Sequence, residues 1–182
     1  MKNLLFGCLG ISLALMFYTR KKIFQLGKLK NEMDIVEALI TEGENQGVEF
    51  KSTLRWDLRQ LKPNKALENV VAKTIVSFMN CKGGNLLIGI DDEGLVLGLK
   101  EDYQTVKKPG RDGFEQYIMQ LVSVTLGTRF CSLVKVTFYK FERRDICHLN
   151  IKSSKTQVFL NVGDLVPFFY PYRKRQTRTG YS

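Results

Sequence analysis

Glu44 and Glu49, together with Asp91 and Asp92 at the end of Gly83-Gly84-Asn85-Leu86-Leu87-Ile88-Gly89-Ile90-Asp91-Asp92, are carboxylates that a fold could gather into one polar site. Grouped carboxylates repel one another unless a proton or a cation offsets the charge, so such a cluster points to Mg²⁺ or Mn²⁺ and to phosphate chemistry. The competing reading is two acidic surface turns with nothing in common. Trp56, between Arg55 and Arg59, could stack a base beside phosphate contacts, or pack as an edge aromatic on the helix that follows it. His148 is the only histidine, with no serine or cysteine nucleophile motif nearby, and reads as a satisfied or exposed strand residue rather than a catalytic base. The glycines at 83, 84, 89, 94 and 98 make neither Gly-x-x-x-x-Gly-Lys-Ser/Thr nor Gly-x-Gly-x-x-Gly opening a helix, so ATP binding has no motif behind it.

The elements that would position these groups follow from periodicity. Val48-Glu49-Phe50-Lys51 reads as a strand with Val48 and Phe50 on one face and Glu49 and Lys51 on the other. Ile35, Val36, Leu39 and Ile40 form a helical stripe stopped by Gly43. Leu67, Val70, Val71, Thr74, Ile75 and Phe78 form a longer one, opening behind Pro63-Asn64 and feeding the glycine turn. Residues 85 to 90 and 95 to 97 predict a hairpin around Gly94. Asp112 and Glu115 predict a capping box for a helix that ends at Gly127. Leu133 to Phe141 and Ile146 to Ile151 predict two strands, and Gln157 to Leu160 a short last one. The expected fold class is α+β, a mixed sheet with two to three helices on one face.

The formal charge of +10 would suggest a nucleic-acid footprint, but it is not spread evenly. Six basic residues and no acid lie in 1–30, and four basic residues and no acid in 173–182; between them 18 Lys and Arg face 18 Asp and Glu. The core is formally neutral, so any nucleic-acid contact must come from a local patch. Cys8, Cys81, Cys131 and Cys147 form no Cys-x-x-Cys pair, which argues against a zinc ribbon or a disulfide scaffold and fits a reducing compartment.

Leu4 to Tyr18 carries no charge and runs into Arg20-Lys21-Lys22. A spanning helix takes about 20 apolar residues, so this is a short single-pass anchor relying on Lys2 and Arg20 to snorkel, with the basic flank placing the domain on the cytoplasmic side. A cleaved signal peptide, an interfacial helix and a true start at Met33 are the alternatives. The expected organisation is an anchor with basic flank at 1–22, a linker at 23–32, a domain at 33–165 and a basic tail at 166–182.

Four segments together resemble a known family: Glu44-x-x-x-x-Glu49-Phe50-Lys51; Lys73 to Asn80; Gly83-Gly84 through Asp91-Asp92-x-Gly94-x-x-x-Gly98-Leu99; and Arg111-Asp112-Gly113-Phe114-Glu115. The match, from about Met33 to about Leu160, is to the Schlafen AlbA-like domain in its prokaryotic, stand-alone form. The resemblance implies a nucleic-acid-binding α+β fold, with DNA and RNA both open. In the animal Schlafen proteins an acidic trio is associated with metal-dependent RNA cleavage; the matching positions are Glu44, Glu49 and either Asp91 or Asp92, with Lys51 as a phosphate contact. The animal enzymes build their groove from two lobes, so an equivalent here would need a homodimer. A membrane-side protein-interaction module is the reading without nucleic acid. Where the family continues with an Arg-Thr-Gly-Asn-like segment, Pro171 to Gln176 can be spelled by the same codons read one nucleotide out of frame, which makes the last twelve residues a frameshifted tail in expectation.

Overall fold

The structure, a computed structural model, describes residues 18–22, 33–141, 143–162 and 165–168. The chain divides into two compact units, Met1–Glu42 and Gly43–Ser182. In the first, residues 18–22 and 33–42 are helical, and we call the latter α1. Gly43, at φ +76, ends α1 as expected, although Ile35 of its predicted stripe is exposed. The hydrophobic run 4–18 lies outside the described residues except for Tyr18. Among the described residues no helix is long and apolar enough to cross a membrane.

The second unit is α+β. Its main sheet has the order β1-β4-β6-β5, from strands β1 (Val48–Lys51), β4 (Gly84–Ile88), β5 (Val134–Phe141) and β6 (Arg144–Ile151). A two-stranded hairpin joins β2 (Trp56–Asp57) to β3 (Lys62–Pro63), and β7 (Leu160–Val162) pairs with β8 (Leu165–Phe168). The main sheet is mixed: β1 runs parallel to β4, while β4–β6 and β5–β6 are antiparallel. Helices α2 (Lys65–Asn80), α3 (Lys100–Gln104) and α4 (Arg111–Thr125) complete the unit. The register puts Leu86, Ile88, Cys147 and Leu149 on one face, where they form a single core with Val71 and Ile75 of α2 and Phe114 and Ile118 of α4. The helices therefore share one side of the sheet, as binary patterning predicts.

Helix α2 forms where its stripe predicts, although Val70 of that stripe is exposed and Ala72, Val76 and Met79 share the buried face with Val71, Ile75 and Phe78. Asn64, in an extended conformation, accepts from Ala66 N with its side chain, and the amides of Cys81 and Gly83 both return to the carbonyl of Phe78. Gly83 sits at φ +84, and a Cβ there would lie 2.5 Å from the carbonyl oxygen of Ile151. A Cβ on Gly84 would lie 2.3 Å from the Phe78 ring. The glycine pair is thus required for the helix to turn straight into β4 against β6.

Three expectations are corrected. Helix α4 has no capping box: Gly110 is its N-cap, with no side-chain bond, and Asp112 pairs with Lys108 at 3.0 Å instead. Residues 157–159 are not a strand, because Asn80 holds the backbone of Val158 from both sides, accepting from its N–H at 2.8 Å and donating to its C=O at 2.9 Å. The hairpin around Gly94 reduces to one bridge, Ile90 with Val96, since Gly89 at φ +96 ends β4 early.

Gly113 in the first turn of α4 is the tightest point of the fold. A Cβ there would stand 1.7 Å from the backbone oxygen of Lys108, in the segment that leads into the helix. Gly113→Ala is expected to lower the unfolding free energy by about 3 kcal/mol in urea titration, the range of severe overpacking. Gly47→Ala, whose Cβ would meet nothing closer than 3.6 Å, is expected to change it by less than about 0.5 kcal/mol.

Candidate nucleic-acid interface

Strand β1 is an edge of the sheet, and its register places Glu49 and Lys51 beside Leu86 and Ile88, on the side that carries the helices. The alternation expected from sequence holds, with Val48 and Phe50 buried on the opposite face, but the polar pair looks toward α2. Between β1 and α2 lies a groove of about 830 Å³ lined by Glu49, Lys73, Thr74, Ser77, Phe78 and Lys82, among others. A second, shallower groove of about 640 Å³ adjoins it at the sheet's end, bordered by Asn85, Leu133, Asn150 and Lys152. Gly47, Lys82 and Gly83 line both. Lys73, Lys82 and Lys152 are exposed, and none pairs with a carboxylate among the described residues. Sequence reading assigned no role to these three. Lys73 and Ser77 form an i,i+4 row on α2 opposite its buried stripe, which was visible; Lys152 needed the tertiary fold.

The hydrogen-bonded carboxylates among those predicted, Glu44, Glu49 and Asp91, are each engaged by their own partners. Glu44 Oε1 accepts the backbone N–H of Phe50 at 2.8 Å. Lys51 Nζ donates to Glu49 Oε1 at 2.7 Å and to the carbonyl of Phe50 at 2.6 Å. Glu44 and the Glu49–Lys51 pair therefore both anchor on Phe50. Asp91 Oδ1 is occupied by its own turn, accepting from Glu93 N at 3.1 Å and Leu95 N at 2.8 Å. Asp92 is exposed beside it. No group of three His, Cys, Asp or Glu among the described residues could hold a metal ion. The donor set Glu44, Glu49 and Asp91 thus does not fit Mg²⁺ or Mn²⁺ as a trio, because each carboxylate is matched to an amide or an ammonium in place.

The expected base-stacking group also divides. Arg55 is turned inward: its Nε lies 3.0 Å from Oε1 of the buried Glu68, its Nη1 donates to the Thr105 carbonyl, and its guanidinium stacks 4.7 Å over the Tyr117 ring. Burial, aided by Glu68, pushes the Tyr117 hydroxyl up to about 12. The Arg55 Nε makes a close ion pair without good hydrogen-bond geometry. Trp56 and Arg59 lie on the β2–β3 hairpin, Trp56 half-buried and Arg59 exposed.

His148 is buried on the face opposite the helices, beside Tyr139. Its Nε2 is 2.9 Å from Asn85 Oδ1, which also accepts from Asn150 Nδ2 at 3.0 Å, so Nε2 carries the proton. Desolvation, with a smaller contribution from Lys135, depresses its pKa to about 4 from 6.5.

These features define an α+β domain with exposed lysines on two adjoining grooves. The profile of the family described as Schlafen, AlbA_2 matches residues 44–179, and the chain belongs to that family. The match begins beside the boundary between the two units and takes in most of the segment 166–182 set apart above as a tail. No curated protein matches the chain. Among solved structures, the DIP2311 protein from Corynebacterium diphtheriae is 16% identical with a TM-score of 0.48, over 78% of this chain and 27% of that one. The N-terminal domain of a RecG-related protein from Nitrosomonas europaea is 14% identical with a TM-score of 0.46, over 80% and 93% respectively. At that level neither informs function.

The depressed pKa of His148 makes stability pH-dependent with a definite sign. The unfolded chain takes up a proton as pH falls through about 6.5, and the folded chain does so only near 4. Stability is therefore full above pH 6.5 and declines between 6.5 and 4, by about 2–3 kcal/mol from this residue. His148→Gln, which keeps a donor toward Asn85, is expected to flatten the urea midpoint over that interval relative to the unmodified chain.

Proposed function

We infer that this domain binds nucleic acid, with backbone phosphates lying along the two adjoining grooves at the C-terminal end of α2. The observation that supports the reading most is the set of unpaired lysines, Lys73, Lys82 and Lys152, on grooves that share Gly47, Lys82 and Gly83. Lysine is a compact point charge suited to phosphate oxygens without sequence reading, so the expected binding is electrostatic and tolerant of sequence. Family membership points the same way. The grooves lie within one chain, so binding needs no homodimer. Cleavage is the weaker reading, because Glu44, Glu49 and Asp91 are separately engaged. In the proposed arrangement residues 4–18 hold the domain at a membrane on the cytoplasmic side, the basic run Arg20-Lys21-Lys22 setting the orientation.

Fluorescence polarisation with labelled single-stranded RNA and duplex DNA tests the binding. The unmodified chain should lose affinity steeply as salt rises, and Lys73→Glu/Lys82→Glu/Lys152→Glu should bind at least about tenfold more weakly, with a log–log salt slope shallower by about two to three. All three side chains are exposed, so the thermal melt should not move. Equal affinity in the variant would assign binding elsewhere, and affinity insensitive to salt would favour a protein-interaction module. The anchor has its own readout: the chain should stay with the membrane fraction through alkaline carbonate, and a chain starting at Met33 should not.

A further inference from the structure

The β2–β3 hairpin carries the exposed Leu58 and Leu61, at 48% and 69% exposure, in a four-residue loop. Asp57 builds the loop: its Oδ1 accepts from Arg59 N and Gln60 N, its Oδ2 from Asn64 Nδ2, and its carbonyl from Leu61 N at 2.8 Å. The Asn64 contact, followed by the loop amides, holds the Asp57 carboxyl below its usual range. The loop's only carboxylate is thereby bound into the turn. Leu61 adopts φ +51, a left-handed conformation whose usual occupant is glycine or asparagine. A chain that places leucine there holds an apolar side chain outward against its backbone preference. Arg59 lies between the two leucines in the loop, Lys62 follows in β3 and Lys65 opens α2, all exposed and none paired with a carboxylate among the described residues.

We propose that this hairpin tip inserts into the headgroup region of an anionic lipid surface, Leu58 and Leu61 entering the acyl boundary while Arg59, Lys62 and Lys65 engage lipid phosphates. Three features select this occupant. Exposed apolar residues with long cationic side chains close by in the chain match the interface, because the methylene stems lie along the apolar layer while the charged heads stay with phosphates. A tip of four residues is far too small to supply the roughly 800 Å² per partner of a stable protein interface. Of the groove lysines, Lys73 stands eight residues along α2 from Lys65, about 12 Å, and Lys82 lies past the end of the helix. The proposal stands on the hairpin alone and does not require residues 4–18 to span a bilayer.

Trp56 is the chain's only tryptophan and opens this hairpin, so its fluorescence reports the tip locally even in a chain anchored elsewhere. The full chain is mixed with vesicles of phosphatidylcholine, with and without phosphatidylglycerol, brominated near the headgroup end of the acyl chain. Anionic vesicles should quench Trp56 about twofold more than neutral ones, and high salt should remove the difference. Leu58→Ser/Leu61→Ser should abolish the quenching in both, and Arg59→Glu/Lys62→Glu should remove only the anionic excess; both variants should keep their nucleic-acid affinity. Absent quenching in the unmodified chain, or quenching unchanged in Leu58→Ser/Leu61→Ser, overturns the proposal. So does a leucine-dependent shift of Trp56 emission on adding RNA or DNA, which would assign the tip to nucleic acid.

Discussion

The second unit depends on one buried carboxylate. Asp102, 1% exposed in α3, accepts three successive backbone N–H groups, those of Leu54 at 2.8 Å and of Arg55 and Trp56 at 3.0 Å. Burial raises its pKa and the three amides oppose that rise, so the ion is held by hydrogen bonds, with Arg55 contributing a smaller Coulombic attraction. Removing such an acceptor would leave three donors orphaned in a dry site, and unmade buried hydrogen bonds cost more than made ones contribute. The geometry spreads outward from there. With the 54–56 backbone fixed, Arg55 points inward to Glu68 and Tyr117, which ties the loop to α2 and α4, and the β2–β3 hairpin leaves from a rigid base.

A second set of constraints positions the grooves and their lysines. Lys152 reaches the grooves because the segment after β6 is fastened to the end of α2, through the Asn80 side chain on Val158 and the bond from Ser154 N to the Met79 carbonyl at 2.7 Å. Gly83 and Gly84 let the helix terminus close on β6 and on Phe78. At the opposite end of the sheet, Asp145 binds Arg111 through both oxygens and accepts the Tyr103 hydroxyl, which holds α3 and α4 against the start of β6. Arg111 beside it keeps the Asp145 carboxyl below its usual range, so this tie is present above the ordinary aspartate pKa and weakens as acid protonates it. The motif Arg111-Asp112-Gly113-Phe114 is accordingly structural residue by residue: an ion pair, a loop contact, a close approach that admits no side chain, and a core aromatic.

What could be read from the sequence was local. The start of α2 behind Pro63-Asn64, the strands β5 and β6 and the alternation of β1 all follow from periodicity and neighbour chemistry. The misses are places where a distant partner overruled a local preference. Asp112 and Glu115 spell a capping box, but the close approach of Lys108 at Gly113 imposes Gly110 as the cap. Residues 157 to 160 are extended and apolar enough for a strand, yet a side-chain amide, not a neighbouring strand, takes the Val158 backbone. Arg55 beside Trp56 suggested nucleic-acid contact, and its partner Glu68 is thirteen residues away across a hairpin. Asp102 gave no local signal at all, since an acid in the first turn of a short helix is unremarkable until three amides converge on it.

Glu44 and Glu49 also bear on the sheet edge beside them. An unpaired edge strand presents a row of bare amides and carbonyls, a template for aggregation unless something blunts it. On β1 the outward groups are taken one by one: Asn45 N bonds the Val48 carbonyl at 2.9 Å, Glu44 bonds the Phe50 amide, and Lys51, steadied by Glu49, bonds the Phe50 carbonyl. The spacing Glu44-x-x-x-x-Glu49-x-Lys51 lets the chain turn back and cap its own first strand. The far edge is treated differently: β5 shows exposed Lys135 and Lys140, whose charge resists a pairing strand without occupying the backbone. One edge is sealed by bonds and the other guarded by charge. Lys73, Lys82 and Lys152 carry neither duty and stay exposed on the grooves at the end of α2.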